Sequence, residues 1–163
     1  NTNGEGFFMP KNLFRTVLVL LQVIHFNLNA QANQFSIGAH LEWNMESPSY
    51  AKLYSINGKY DFSERQAIHA QVGLGDYKVY YFGADYLYTV LLLKKMPSVF
   101  VGAGLGFEGI RGTDANDIIL NAQAGFQFDI KKFSPFVGYK PKFYFEAEGI
   151  DPSTIFIGLR YRL

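Results

Sequence analysis

The feature that most constrains this chain is a period-two alternation of apolar with polar or very small residues, sustained through separate runs between residues 34 and 163. A β-strand sends successive side chains to opposite faces, so each run describes a strand with one greasy face and one polar face. The runs predict eight strands, at 34–43, 51–62, 66–75, 78–92, 98–109, 117–128, 133–146 and 154–162. Between them fall NMESPSY, SER, DY, KKMPS, IRGTDAN, DIKK and AEGIDPS, all carrying turn formers or charges, so the series reads as a meander of hairpins. No connection has the dozen residues that a parallel crossover needs, and the sheet is expected to be antiparallel.

The alternation sorts the side chains into two sets. One holds Phe35, Ile37, Ala39, Leu41 and Trp43 in the first run and Ile155, Ile157, Leu159, Tyr161 and Leu163 in the last. The other holds Ser36, Gly38, His40 and Glu42, and in the fifth run Gly102, Gly104, Gly106 and Glu108. Alternation does not say which set faces out. A lipocalin-like soluble barrel is apolar inside, and a membrane barrel is the reverse.

Two patterns favour the reverse. Aromatic members of the apolar set gather at strand ends: Phe35, Tyr60, Phe62, Phe128 and Tyr161 at one rim, Trp43, Tyr54, Tyr80, Phe107, Phe143 and Phe145 at the other, with Tyr86 and Tyr139 as mid-strand exceptions. Two aromatic girdles around an aliphatic band suit a bilayer, whereas a soluble core has no reason to sort rings by height. The polar set is rich in glycine, which fits the crowded inside of a narrow barrel better than an exposed strand face.

The N-terminal residues point the same way. Residues 1–8 read as an extension upstream of the true start at Met9, and residues 9–32 as a cleavable signal peptide. Lys11 and Arg15 form its basic region, Thr16 to Leu28 its apolar run, and Ala30-Gln31-Ala32 its cleavage site. The run is too short for a transmembrane helix, which needs about 20 apolar residues. The domain is then residues 33–163, with equal numbers of acids and bases and so no electrostatic case for nucleic acid. The absence of cysteine excludes a lipoprotein anchor and fits an oxidising compartment.

The chain resembles the small eight-stranded bacterial outer-membrane barrels of the OmpA transmembrane-domain and OmpX type, and most of all the outer-membrane β-barrel domain proteins of Bacteroidota. The alternation, the signal peptide and the closing strand carry the resemblance together, the last with Gly158, then Tyr161 and Leu163 at alternate positions to the end. The family favours a terminal Phe, and a polar residue where Phe156 stands. The resemblance implies an all-β, closed, antiparallel, eight-stranded up-and-down transmembrane barrel with both termini periplasmic. It further implies a cell-envelope protein inserted by the barrel-assembly machinery, surrounded by outer-membrane lipids and lipopolysaccharide, and monomeric. Strands of about 9–11 residues span a bilayer when tilted, and eight strands enclose an interior just filled by side chains.

If the polar set points inward, the lumen collects Glu42, Asp61, Asp85, Glu108 and Glu146 against Lys59, Lys140, Lys142, Arg160 and Arg162. Charges withdrawn from water must be paired, so these predict a salt-bridge network that plugs the lumen and fixes strand register. His40, Glu42 and Ser36 share a face, but no His-x-Ser pair of the lipid A deacylase kind is present. No catalytic, cofactor or metal residues are assigned: the three histidines have no ligand spacing, and Gly102–Gly106 is strand-like rather than a phosphate loop. The expected role is therefore non-enzymatic, structural or membrane-integrity or surface-interacting. The alternatives are a narrow porin-like channel, a lipid A-modifying enzyme and a secreted lipocalin-like binding barrel.

Overall fold

A computed structural model describes residues 34–45, 51–91, 97–146 and 150–163. The expected upstream extension at 1–8 and signal peptide at 9–32 lie outside the described residues. The strands are β1 (Gln34–Asn44), β2 (Lys52–Asp61), β3 (Gln66–Gly75), β4 (Val79–Leu91), β5 (Ser98–Ile110), β6 (Asn116–Gln127), β7 (Phe133–Tyr139), β8 (Lys142–Tyr144), β9 (Ile150–Asp151) and β10 (Thr154–Arg162). Neighbours in sequence pair antiparallel from β1 to β7, β10 lies between β7 and β1, and the β5–β6 pairing completes the ring. This is a closed eight-stranded antiparallel barrel with no open edge, so every wall strand finds its backbone partners on both sides.

The expected strand at 133–146 is broken in two. β7 and β8 run along the same strand, β6, with Ala124 opposite Tyr139 and Asn121 opposite Lys142, so they keep one register. Pro141 interrupts them because it has no N–H to give to the ladder. Its carbonyl still accepts from the Ala122 amide at 3.2 Å, and the wall stays sealed. The segment expected as a simple loop after residue 146 contributes β9, which pairs Lys142 with Asp151.

The apolar set faces out. Ile56 and Ile157 are 63% and 61% exposed on the outer wall, while Glu42 and Lys140 are 2% and 1% exposed inside. A lipocalin-like barrel would have the opposite arrangement. The terminal end of the barrel, where β1 begins and β10 ends, carries Phe35, Tyr60, Phe62, Phe128 and Tyr161 on its outer rim. The other, loop end carries Trp43, Tyr54, Tyr80, Phe107, Phe143 and Phe145. Tyr80 and Phe107 of the loop-end rim lie 6.2 Å apart, and Phe62 of the terminal rim lies 6.2 Å from the mid-strand Tyr86.

The interior is less polar than the alternation suggests. Ala67, Leu87, Phe100, Phe136 and Phe156 form one buried apolar cluster, and Leu53, Tyr81 and Ile119 another. The lumen glycines make room for the rings. A Cβ on Gly106 would meet the Tyr81 hydroxyl at 2.3 Å, one on Gly138 the Phe156 ring at 2.4 Å, and one on Gly158 the Phe136 ring at 2.4 Å. Each large inward ring thus lies over a position where only hydrogen fits. Outside the lumen, the β3–β4 turn is held by the Val79 amide bonding to the Asp76 carbonyl. Tyr77 and Lys78 are left-handed there (φ 56° and 63°), a conformation that fits a two-residue hairpin but burdens residues with a Cβ.

Gly106→Ala and Tyr81→Ala should each destabilise the barrel but act non-additively, with a coupling of about 0.5–3 kcal/mol in a double-mutant cycle read by urea unfolding in vesicles. Strict additivity would mean that the ring does not depend on that glycine. Tyr77→Asn, which tolerates the left-handed region, should gain on the order of 1 kcal/mol in the same assay.

Candidate functional site in the barrel lumen

The lumen residues come from alternate positions of the eight-stranded wall, so cross-strand register decides which charges meet. His69 lies directly opposite Asp85 between β3 and β4, and His40 opposite Gly158 between β1 and β10. Glu42, near the loop end of β1, is the hub. Its Oε1 accepts from Gln71 Nε2 (2.8 Å) and Lys140 Nζ (3.1 Å), and its Oε2 pairs with Lys142 Nζ (3.0 Å). Lys140 also lies 3.8 Å from Asp85 Oδ2, which receives His69 Nδ1 at 3.1 Å. The Tyr81 ring stands 5.1 Å from both lysine ammoniums, offering its face to the two cations.

The second part of the network extends toward the terminal end. Arg160 Nε donates to Asn57 Oδ1 at 3.0 Å and its Nη1 to Gln127 Oε1 at 3.2 Å, while its guanidinium lies 3.7 Å from the centre of the Phe136 ring. Amide oxygens and a π-face thus surround this charge. Because the Asn57 oxygen is occupied by arginine, its Nδ2 is the donor to His40 Nδ1 at 2.9 Å. That fixes the proton of His40 on Nε2, aimed at Glu42 Oε1 at 3.4 Å. At the mouth, Lys59 pairs with Asp61 at 2.7 Å, and Asp129 Oδ1 accepts from Arg162, Gln127 and Ser134 at 2.9, 3.1 and 2.6 Å.

Of the ten charges predicted from sequence, Glu42, Lys59, Asp85, Lys140, Lys142 and Arg160 are buried in the lumen. Asp61 and Arg162 stand at the terminal mouth and Glu108 at the loop end, where it meets Lys142 at 3.5 Å and the Tyr144 hydroxyl at 3.3 Å. Glu146 is not a lumen charge. The ladder to β6 ends at Phe145, whose amide bonds to the Ile118 carbonyl at 3.2 Å, and Asp117 Oδ1 also accepts from the amides of Phe145 and Glu146 at 3.1 and 2.9 Å, leaving Glu146 exposed. The sequence reading missed Asp129, although it stands two positions after Gln127 on the same face. It also missed Asp151, which gathers Asn44 Nδ2, the Ser153 amide and Thr154 Oγ1 at 2.6, 3.0 and 3.1 Å. Both lie in segments that read as turns, DIKK and AEGIDPS.

Chemically, the arrangement neutralises and closes. A cavity of about 350 Å³ at the terminal mouth is lined by Lys59, Asp61, Asp129 and Arg162, and one of about 80 Å³ at the loop end by Glu42, Glu108, Lys142 and Tyr144. Between them stand Arg160, Phe136 and the rings packed with Phe136. Among the described residues, no group of three or more His, Cys, Asp or Glu side chains is disposed to hold a metal ion.

No protein-family model matches the sequence, and no curated protein does. Solved structures do match, at low identity. The N-terminal β-barrel domain of Pseudomonas aeruginosa OprF superposes with a TM-score of 0.64 at 15% identity, covering 81% of this chain and 98% of that one. A de novo designed transmembrane β-barrel gives 0.60 at 10% identity over 82% and 98% of the two chains. The solution structure of the designed barrel TMB2.3 gives 0.59 at 15%, over 83% and 98%. The fold is therefore that of the eight-stranded transmembrane barrels.

Glu42→Ala removes the hub and leaves Lys140 and Lys142 buried without their main counter-charge. It should cost about 3–5 kcal/mol in equilibrium unfolding. A loss below about 1 kcal/mol, the range of exposed pairs, would show that water reaches the network.

Proposed function

We propose that this chain is a non-enzymatic protein of the bacterial outer membrane, monomeric, with both termini in the periplasm, serving a structural, membrane-integrity or surface-interaction role. The observation that carries this reading is the plugged lumen: Arg160 stacked on Phe136, inside a barrel whose outer wall is apolar all round. A soluble protein rarely exposes apolar surface on this scale, because water does not solvate it. A bilayer does, and a closed barrel is one of only two backbone arrangements that satisfy every amide inside it. The aromatic rims then stand at headgroup level, and insertion would use the barrel-assembly machinery. Membership of the Bacteroidota barrel group, suggested by the alternation, the signal peptide and the closing strand together, belongs to the same proposal.

A second reading, a narrow channel, rests on a specific observation. Polar side chains succeed one another from mouth to mouth through Asp61, Lys59, Gln127, Arg160, Asn57, His40, Glu42, Lys142 and Glu108, each link between 2.7 and 3.5 Å. The links are direct, with arginine and amide side chains among them, which favours a plug over a water-filled path.

Planar-bilayer recording and mass analysis of lipid A from expressing cells test the proposal together. It predicts a silent bilayer, a heat-modifiable band in the outer-membrane fraction and unchanged lipid A. Discrete conductance steps would establish the channel, and a new lipid A mass would establish the enzyme.

A further inference from the structure

The outer wall of the barrel is not evenly filled. Across β10, β1, β2 and β3 a hollow of about 870 Å³ opens around Ala39, walled by Leu41, Tyr54, Ile56, Leu74 and Ile157. A second hollow of about 420 Å³, around Gly58 and Ala70, adjoins it and shares Ile56 and Val72. Both lie where small outward residues stand between large aliphatic ones.

At the loop end, the larger hollow runs up to a group of cations. Lys52 is the next outward residue after Tyr54 on β2 and lies directly opposite Trp43, with its Nζ 5.8 Å from the indole. Lys78 occupies the adjoining turn, and the Arg111 amide bonds to the Lys78 carbonyl at 3.0 Å. Outside the lumen, these three are all the cations of the loop end among the described residues. Asp76 and Asp114 stand with them, and Asp76 already accepts from the Lys52 amide at 3.1 Å. Among the described residues, the remaining acids of the loop end are Glu108, which meets Lys142 and Tyr144 instead, and Asp117, Glu146 and Asp151 on the β6–β9 side. The cationic sector and the hollow therefore share one side of the barrel.

We infer that this face binds a lipid of the surrounding leaflet, of an anionic, phosphorylated, multi-chain class, with chains in the hollow and phosphate at Lys52 and Lys78. The inference rests on the membrane reading above and adds an occupant and a place to it. Acyl chains in a concave apolar wall gain dispersion contacts that a convex wall denies them. At the headgroup level a phosphate oxygen accepts charge-assisted bonds from ammonium groups, and Trp43 stands where indoles favour the interface. Charge argues against a second copy of this chain, since a two-fold pairing through this face would bring the two sets of cations together.

The test uses the full chain purified in mild detergent and equilibrated with equal amounts of lipid A and phosphatidylethanolamine, with retained lipid read by native mass spectrometry. Lipid A should be retained in preference. Lys52→Glu combined with Lys78→Glu should lower its retention about tenfold, the size of losing a bond to a charged group. Ala39→Phe should also lower it by filling the hollow, without touching the cations. Both variants face outward and should keep the heat-modifiable band. Equal retention of the two lipids, retention unchanged in both variants, or a two-copy mass with no lipid would each overturn the inference. Loss of the heat shift in the unaltered chain would instead overturn the membrane reading beneath it.

Discussion

An eight-stranded ring encloses just enough space for side chains, and that shortage of room governs the rest of this structure. Tyr81, Phe136 and Phe156 can point inward only because Gly106, Gly158 and Gly138 stand where they project. The rings in turn divide the lumen into a mouth at each end and a sealed middle. Once water is excluded from the middle, the remaining polar groups have to satisfy one another. Glu42 is surrounded by Gln71, Lys140, Lys142 and His40, and Arg160 by Asn57, Gln127 and a ring face, for that reason.

Such a network stabilises less than its number of contacts suggests, because desolvating each charge offsets most of the Coulomb gain. Its larger consequence is register. In a sheet, a slip of one residue sends every side chain to the other face. Here a slip of β1 would put Glu42 on the apolar outer wall and Trp43 into a lumen with no room for it. Glu42 is tied to β3 through Gln71 and to the β7–β8 segment through Lys140 and Lys142, so it measures the alignment of strands far apart in sequence. The exterior has no comparable demand for complementarity, which is why hollows persist around Ala39, Gly58 and Ala70.

Period two made the wall legible from sequence, including the antiparallel meander and the two faces. It made the lumen legible only where the inward residue was polar. Phe100, Phe136 and Phe156 sit inside runs where both faces are apolar, so alternation carried no sign there; the glycines that receive them were the available signal. Asp129 and Glu146 show the same limit at strand ends, where a turn former and a last inward residue look alike. The break at Pro141 was visible as a proline within a strand. Its outcome, two pieces that keep one register, depends on β6 and is not written locally. Function is less legible still, because the lumen residues are occupied with one another, and the outer hollow arises from small residues on neighbouring strands that no single run displays.

A membrane location requires the apolar wall to face lipid along its whole circumference. The most direct measurement is depth-dependent fluorescence quenching by brominated lipids. The single indole would be moved from the rim to mid-wall by Trp43→Phe with Ile157→Trp. The account predicts strongest quenching by bromines deep in the acyl chains and none by aqueous iodide. Quenching by iodide with no response to the brominated lipids would place that face in water and contradict the account.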